Sequence, residues 1–242
     1  MMTRQLIALV VLACFAAACD ISSAVDDGAE FNTTYRGERL NRVAFPMGGM
    51  GAGMICLEGT GNVSHVSVRH KPDVFYEPFV FGAISVKGVE KGTKVLEGPV
   101  PQRKLYGAPY TGNGSSNSTY GFPRFEKAEF LARFPFATVK LKDDDIPLDV
   151  EVRGWSPFHP TQENLSSLPM AALEYIFSNP TDSTVEMVFS YHAENFMRIR
   201  GQNQWGISYE NVGHSVQKTR NGFVLSQSCL TDKPHYKGDF SI

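Results

Sequence analysis

Apolar and polar residues alternate with a period of two along much of this chain, and helical spacing is hard to find beyond the first twenty residues. Segment 63–68 sets valine against serine and histidine, and 79–86 is a nearly continuous apolar run with β-branched and aromatic members. Segments 128–134, 137–141 and 148–152 read as further strands. The last two are joined through Lys142-Asp143-Asp144-Asp145-Ile146-Pro147, a hairpin connection. Segments 171–177 and 184–192 follow, separated by the polar turn Ser178-Asn179-Pro180-Thr181-Asp182-Ser183. Segment 222–230 is another strand. Segment 237–242 begins one more, with Phe240 and Ile242 on one face. The Gly- and Ser-rich stretch 107–121 reads as a surface loop. Many strands, turn-rich connections and little helix predict an all-β fold, an antiparallel β-sandwich with long loops. No capping segment follows Ile242, so the sequence is expected to be a fragment whose sandwich is incomplete at its C-terminal end.

One stretch breaks the alternation. Phe45-Pro46-Met47-Gly48-Gly49-Met50-Gly51-Ala52-Gly53 carries four glycines in six positions behind a proline. Glycine tolerates positive φ and close backbone approach, and proline fixes its own φ. The run therefore predicts a loop or distorted strand between the apolar pieces 43–45 and 54–57. A dinucleotide cradle needs G-x-G-x-x-G opening a helix, whereas Gly49, Gly51 and Gly53 give G-x-G-x-G ahead of a strand. No G-x-x-x-x-G-K-[ST] is present either. The expectation is a structural glycine loop at a sheet corner, with no cofactor.

The first residues look like a targeting segment. Arg4 supplies a positive start, and 6–18 is apolar and too short to span a bilayer comfortably. Ala16-Ala17-Ala18-Cys19 resembles a bacterial lipobox, although the position three before the cysteine is alanine rather than leucine. On that reading Cys19 is acylated and anchors the protein to a membrane; cleavage near Ala18 with release of a soluble exported protein is the competing reading. The expected organisation is 1–19 signal peptide, 20–34 polar tether and 35–242 sandwich domain.

Composition narrows the chemistry. The net charge is −2 and the basic residues are not clustered, so nucleic acid is not an expected partner. Of the four cysteines, Cys14 leaves with the signal and Cys19 carries lipid on the favoured reading. Cys56 and Cys229 are the two cysteines left that could pair internally, and a buried thiol is the commoner fate of a cysteine in an apolar run such as that of Cys56. The six histidines are scattered, with no spacing that pairs two as ligands, so no metal site is expected. The triplet Asp143–Asp145 lacks the glycine and glutamate of a calcium loop and reads as a solvated turn. Glu126, Glu129, Glu151 and Glu174 lie in alternating strands and read as outward-facing or paired surface groups rather than a catalytic pair. Trp155 and Phe158 flank Pro157 as a rigid aromatic corner, and Phe134-Pro135-Phe136 is similar. Such rings either fill a core or an interdomain seam, the favoured reading, or stack on sugar faces.

Three segments in order resemble the N-terminal domain of glycoside hydrolase family 116, which includes non-lysosomal glucosylceramidases and bacterial β-glucosidases. They are Ala44 to Gly53, Gly154-Trp155-Ser156-Pro157-Phe158-His159-Pro160, and Ser166-Ser167-Leu168-Pro169-Met170-Ala171 with Glu174-Tyr175 and Asn179-Pro180-Thr181 behind it. The resemblance runs from about Tyr35 to the end. It implies a β-sandwich followed by a large (α/α)6 barrel that carries a glutamate nucleophile and an aspartate acid/base, outside this sequence. It implies retaining hydrolysis of a β-glycoside by the whole enzyme, with a carbohydrate or glycolipid substrate bound through the absent barrel. No catalytic residue carries over to this chain, which alone is expected to be inactive. A surface-anchored sandwich that binds carbohydrate without cleaving it is the alternative.

Overall fold

In the computed structural model of this protein the described residues are 32–68, 72–74, 76–105, 119–198, 200–203, 206–209, 213–228 and 237–242. Residues 1–31, which include Cys19 and the segments expected to be signal and tether, and Cys229 and residues 106–118 lie outside them. Residues Thr34–Ile242 form one compact unit.

That unit is an antiparallel β-sandwich, as the alternation predicts. Its largest layer is a five-stranded sheet in the order β1 (Tyr35–Arg36), β7 (Lys127–Arg133), β8 (Phe136–Lys142), β9 (Asp149–Trp155), β10 (Ala172–Ser178). Three smaller sheets complete the layers: β2 (Ala44–Met47), β3 (Met54–Glu58) and β4 (Val63–Ser67); β11 (Met187–Ala193), β5 (Val80–Val86) and β6 (Thr93–Val95); and β14 (His214–Lys218), β15 (Phe223–Gln227) and β16 (Gly238–Ser241). A two-stranded ribbon pairs β12 (Arg200–Asn203) with β13 (Gly206–Tyr209). The described helices are single turns, Gln102–Leu105 and Glu163–Ser166, with a 3-10 turn at Gly37–Leu40.

The period of two decides which face is buried. In β8 and β9, Ala137, Val139, Leu141, Val150 and Val152 point inward and are fully buried, while Phe136, Lys140 and Glu151 point outward. The inner face of the five-stranded sheet packs on Met47, Leu57, Ile84, Val86 and Leu96 from the opposing layer. A second apolar cluster joins Val63, Val66 and Val80 to Phe196, Met197 and Leu225, and so fixes the β14–β16 sheet to the rest.

The segment expected to open at 237–242 is a paired strand: β16 runs antiparallel to β15, and Phe223 and Ile242 exchange two backbone hydrogen bonds of 2.8 Å. The hairpin joining β8 to β9 forms where expected. The turn at 178–183 forms too, closed by the Asn179 side chain, which accepts from the Thr181 amide at 3.0 Å and donates to the Ser183 carbonyl at 2.7 Å. The expectation of a solvated acidic turn is corrected. The Asp143 side chain is buried, accepts from Lys94 Nζ at 2.5 Å and from the amides of Glu126 and Asp145, and so pins the hairpin to β6. Burial works to raise its pKa, but those donors overcome it and hold the carboxyl below its ordinary value. The surface-loop reading of 107–121 needs correcting where it can be described. Thr119 is buried, and Tyr120 donates to Glu77 at 2.9 Å.

Candidate functional site: an apolar end face built by three segments

The glycine run is the loop of the β2–β3 hairpin. Ala44 pairs with Glu58 and Met47 with Ile55, so 48–53 closes the hairpin. Gly48, Gly51 and Gly53 all have positive φ, at +137°, +75° and +110°. Pro46 lies within β2, an edge strand of its sheet, where a missing donor is tolerated.

This loop is held against two segments far away in sequence. The Gly48 amide donates to Ser156 Oγ at 2.9 Å, and the Met50 amide donates to the Ser166 carbonyl at 2.9 Å. Ser166, almost wholly buried, also staples its own segment to the aromatic corner: its hydroxyl accepts from the His159 amide at 3.0 Å and donates to the His159 carbonyl at 2.9 Å. At Gly49 the approach leaves no room for a side chain. A Cβ there would stand 2.6 Å from the Ser167 carbonyl carbon and closer still to the Leu168 oxygen. Gly51 is different. Its Cβ would meet nothing within 4 Å, so its demand is for positive φ alone.

The surface outside this junction is apolar. Met50 is 55% exposed, Leu168 42% and Phe158 41%, with Leu165 and Met170 beside them. The β7–β8 hairpin, which turns through a cis Phe134–Pro135 peptide, adds Phe134, 62% exposed, whose ring meets Phe158 edge-on at 4.9 Å. Phe136 and Trp155, opposite each other in register, continue the apolar surface onto the outer face of the sheet. Of the two places expected for these rings, the core is corrected: Phe134, Phe136 and Phe158 are exposed and Trp155 is half-buried on the outer face of its sheet. Isolated exposed apolar residues need no explanation, but a contiguous set rimmed by polar groups marks a surface that contacts something.

Inside the sandwich lies a feature that no motif announced. Lys104 is buried between two carboxylates, with Nζ 2.6 Å from Glu58 and 2.9 Å from Glu77. Glu77 also accepts from Asn62 and from the Tyr120 hydroxyl. Beside them Arg124 pairs with buried Glu97 at 2.5 Å, and Thr119 donates to the same carboxylate at 3.1 Å. Burial raises the Glu97 pKa despite the opposing pull of Arg124 and Thr119, and burial with the nearby Glu58 charge pushes the Cys56 thiol up to about 11. Cys56 is a buried free thiol, and burial disfavours its thiolate. These carboxylates are locked onto buried cations, which suits structure rather than proton transfer. The four glutamates weighed earlier behave as surface groups. Glu129 is paired with Arg36 and Lys142, Glu151 with Arg153, and Glu174 with Arg153 and the Trp155 indole, while Glu126 is exposed. Among the described residues no group of His, Cys, Asp and Glu is placed to hold a metal ion, and no helix is long and apolar enough to cross a membrane.

An antiparallel β-sandwich with a glycine-built hairpin loop under an apolar end face defines the class of domain. The particular family follows from comparison: residues 44–242 match the family described as beta-glucosidase 2, glycosyl-hydrolase family 116 N-term, and the chain belongs to that family. The three segments joined at the end face all fall within the match. No curated protein matches the chain.

Proposed function

We propose that this sandwich is the non-catalytic N-terminal part of an exported glycoside hydrolase that cleaves β-glycosides with retention, and that its apolar end face seats against the catalytic part. The observation that carries this reading is the convergence of 48–53, 154–160 and 166–171 into one hydrogen-bonded junction capped by Met50, Phe158, Leu165, Leu168 and Met170. A rigid apolar patch of this kind is suited to a permanent interface. A retaining mechanism needs two carboxyl groups about 5 Å apart across the scissile bond, one free to attack. The buried carboxylates among the described residues are held by Lys94, Lys104 and Arg124 instead. Export through 1–19, with acylation of Cys19, belongs to the same proposal, and lipid-labelled precursor in growing cells tests it.

The functional test is made in the whole enzyme. Met50→Lys with Leu168→Lys is expected to weaken association of the two parts and lower turnover of an aryl β-glucoside, while the isolated sandwich keeps its stability. Turnover by the purified chain of residues 1–242 would refute the division of roles, and so would full activity and unchanged domain association in the double variant.

A further inference from the structure

We propose that the outer face of β8, β9 and β10, around Phe136, Trp155, Arg153 and Glu174, is a binding platform for a neutral carbohydrate. This reading does not rest on the docking of the end face. The register sets Phe136 opposite Trp155, and Thr138 opposite Arg153 with Glu174 on its far side. All five side chains lie on the face away from the buried Val150, Val152 and Gly154 row. The Phe136 and Trp155 rings sit 6.3 Å apart with their planes at 48°, forming an apolar step on the outer face of the sheet. The indole N–H donates to Glu174 at 3.0 Å, and Arg153 reaches Glu174 at 3.5 Å and Glu151 at 2.7 Å. The rings and the polar groups are thus held in place before any ligand arrives, which cuts the ordering cost of binding.

The chemistry of the platform selects its ligand. Aromatic faces beside convergent hydrogen-bonding groups suit a molecule with an apolar C–H face and a hydroxyl edge. Along β9, Arg153 and Trp155 are two residues apart, about 7 Å in an extended strand, so one pyranose ring on Trp155 brings its hydroxyls to Arg153 and Glu174. Arg153 and Lys140 stand against Glu151 and Glu174 on adjacent positions, so the charges beside Trp155 are matched within the face, while Arg133 opposite Phe136 adds one cation at its edge, and the heparin arm of the titration below measures what that cation attracts.

Titration of the isotope-labelled chain with cellotetraose, maltotetraose and a heparin tetrasaccharide, followed by amide and indole resonances, tests this. The expected result is saturable shifts of the Trp155 indole N–H and of β8–β10 amides with a neutral oligosaccharide. Trp155→Ala should weaken binding about tenfold or more, and Glu174→Gln severalfold. Phe136→Ala provides a second variant should Trp155→Ala fail to fold. The docking variant Met50→Lys with Leu168→Lys should leave the shifts in place, which separates this site from the end face. The proposal is overturned by no shift with either neutral sugar at millimolar concentration, by binding that both aromatic variants leave unchanged, or by binding of the heparin fragment alone.

Discussion

Replacing Gly49 by alanine tests how the end face is built. The added Cβ would stand 2.6 Å from the Ser167 carbonyl carbon and closer to the Leu168 oxygen, and both obstacles are backbone. No rotamer change can relieve such a contact, so the glycine loop must lift away from 166–168. Overpacking of this kind costs about 1–3 kcal/mol. Lifting the loop also threatens the Met50 to Ser166 hydrogen bond and the Gly48 to Ser156 bond beneath it. A partner left unsatisfied there adds roughly 1–3 kcal/mol. Together these come to about 2–6 kcal/mol, about 4 kcal/mol at the middle of the range. Gly51→Ala, two residues on, is the control. Its Cβ has open space, and only the positive φ is unfavourable, at roughly 1–2 kcal/mol. Urea unfolding followed by tryptophan fluorescence reads the difference. At central costs of about 4 and about 1.5 kcal/mol and a slope of about 2 kcal/mol per molar, the Gly49 variant should unfold about 1 M below the Gly51 variant. Equal midpoints, or a Gly49 variant as stable as the wild type, would refute close backbone approach as the reason for the glycine.

Two further outcomes are expected. Lys104→Met leaves Glu58 and Glu77 facing each other without their buried cation and should cost about 3–5 kcal/mol in the same unfolding assay, with Glu58→Gln added in the double variant recovering part of the loss. Asp143 titrates below its ordinary 3.8 in the folded protein, so its contribution is present above that value and lost as pH falls through the lower folded value; the acid-side fall in melting temperature should shrink in Asp143→Asn.

Alternation sufficed to find the paired strands, because a half-buried strand must present apolar residues every second position. That is why 63–68, 128–134 and 148–152 correspond to β4, β7 and β9 within a few residues. The strands β2 and β3 were harder to read, since Pro46 and the glycines dominate that stretch and only tertiary pairing makes it a hairpin. Strand β6 has three residues, too few to show a period. The end face was visible only as three separate motifs. Gly48 and Ser156 are 108 positions apart, and nothing local to either says that one will hydrogen-bond to the other. The Lys104 network was illegible for a simpler reason: lysine and glutamate in a strand-rich sequence read as surface groups until the fold shows which of them face each other across the interior.

The pairing of β5 with β11 has a consequence in time. Just before β5, the Phe79 amide donates to the Glu194 carboxylate, 115 positions later in the chain. At a synthesis rate of about 5–20 residues per second, the apolar strand β5 waits several seconds or longer before its partner exists. During that interval Val80, Phe81 and Ile84, later among the most buried residues, have their short neighbour β6 but not β11. A nascent chain halted between residues 100 and 185 is therefore the form most exposed to mispairing, and the one on which a holding chaperone has the most to grip.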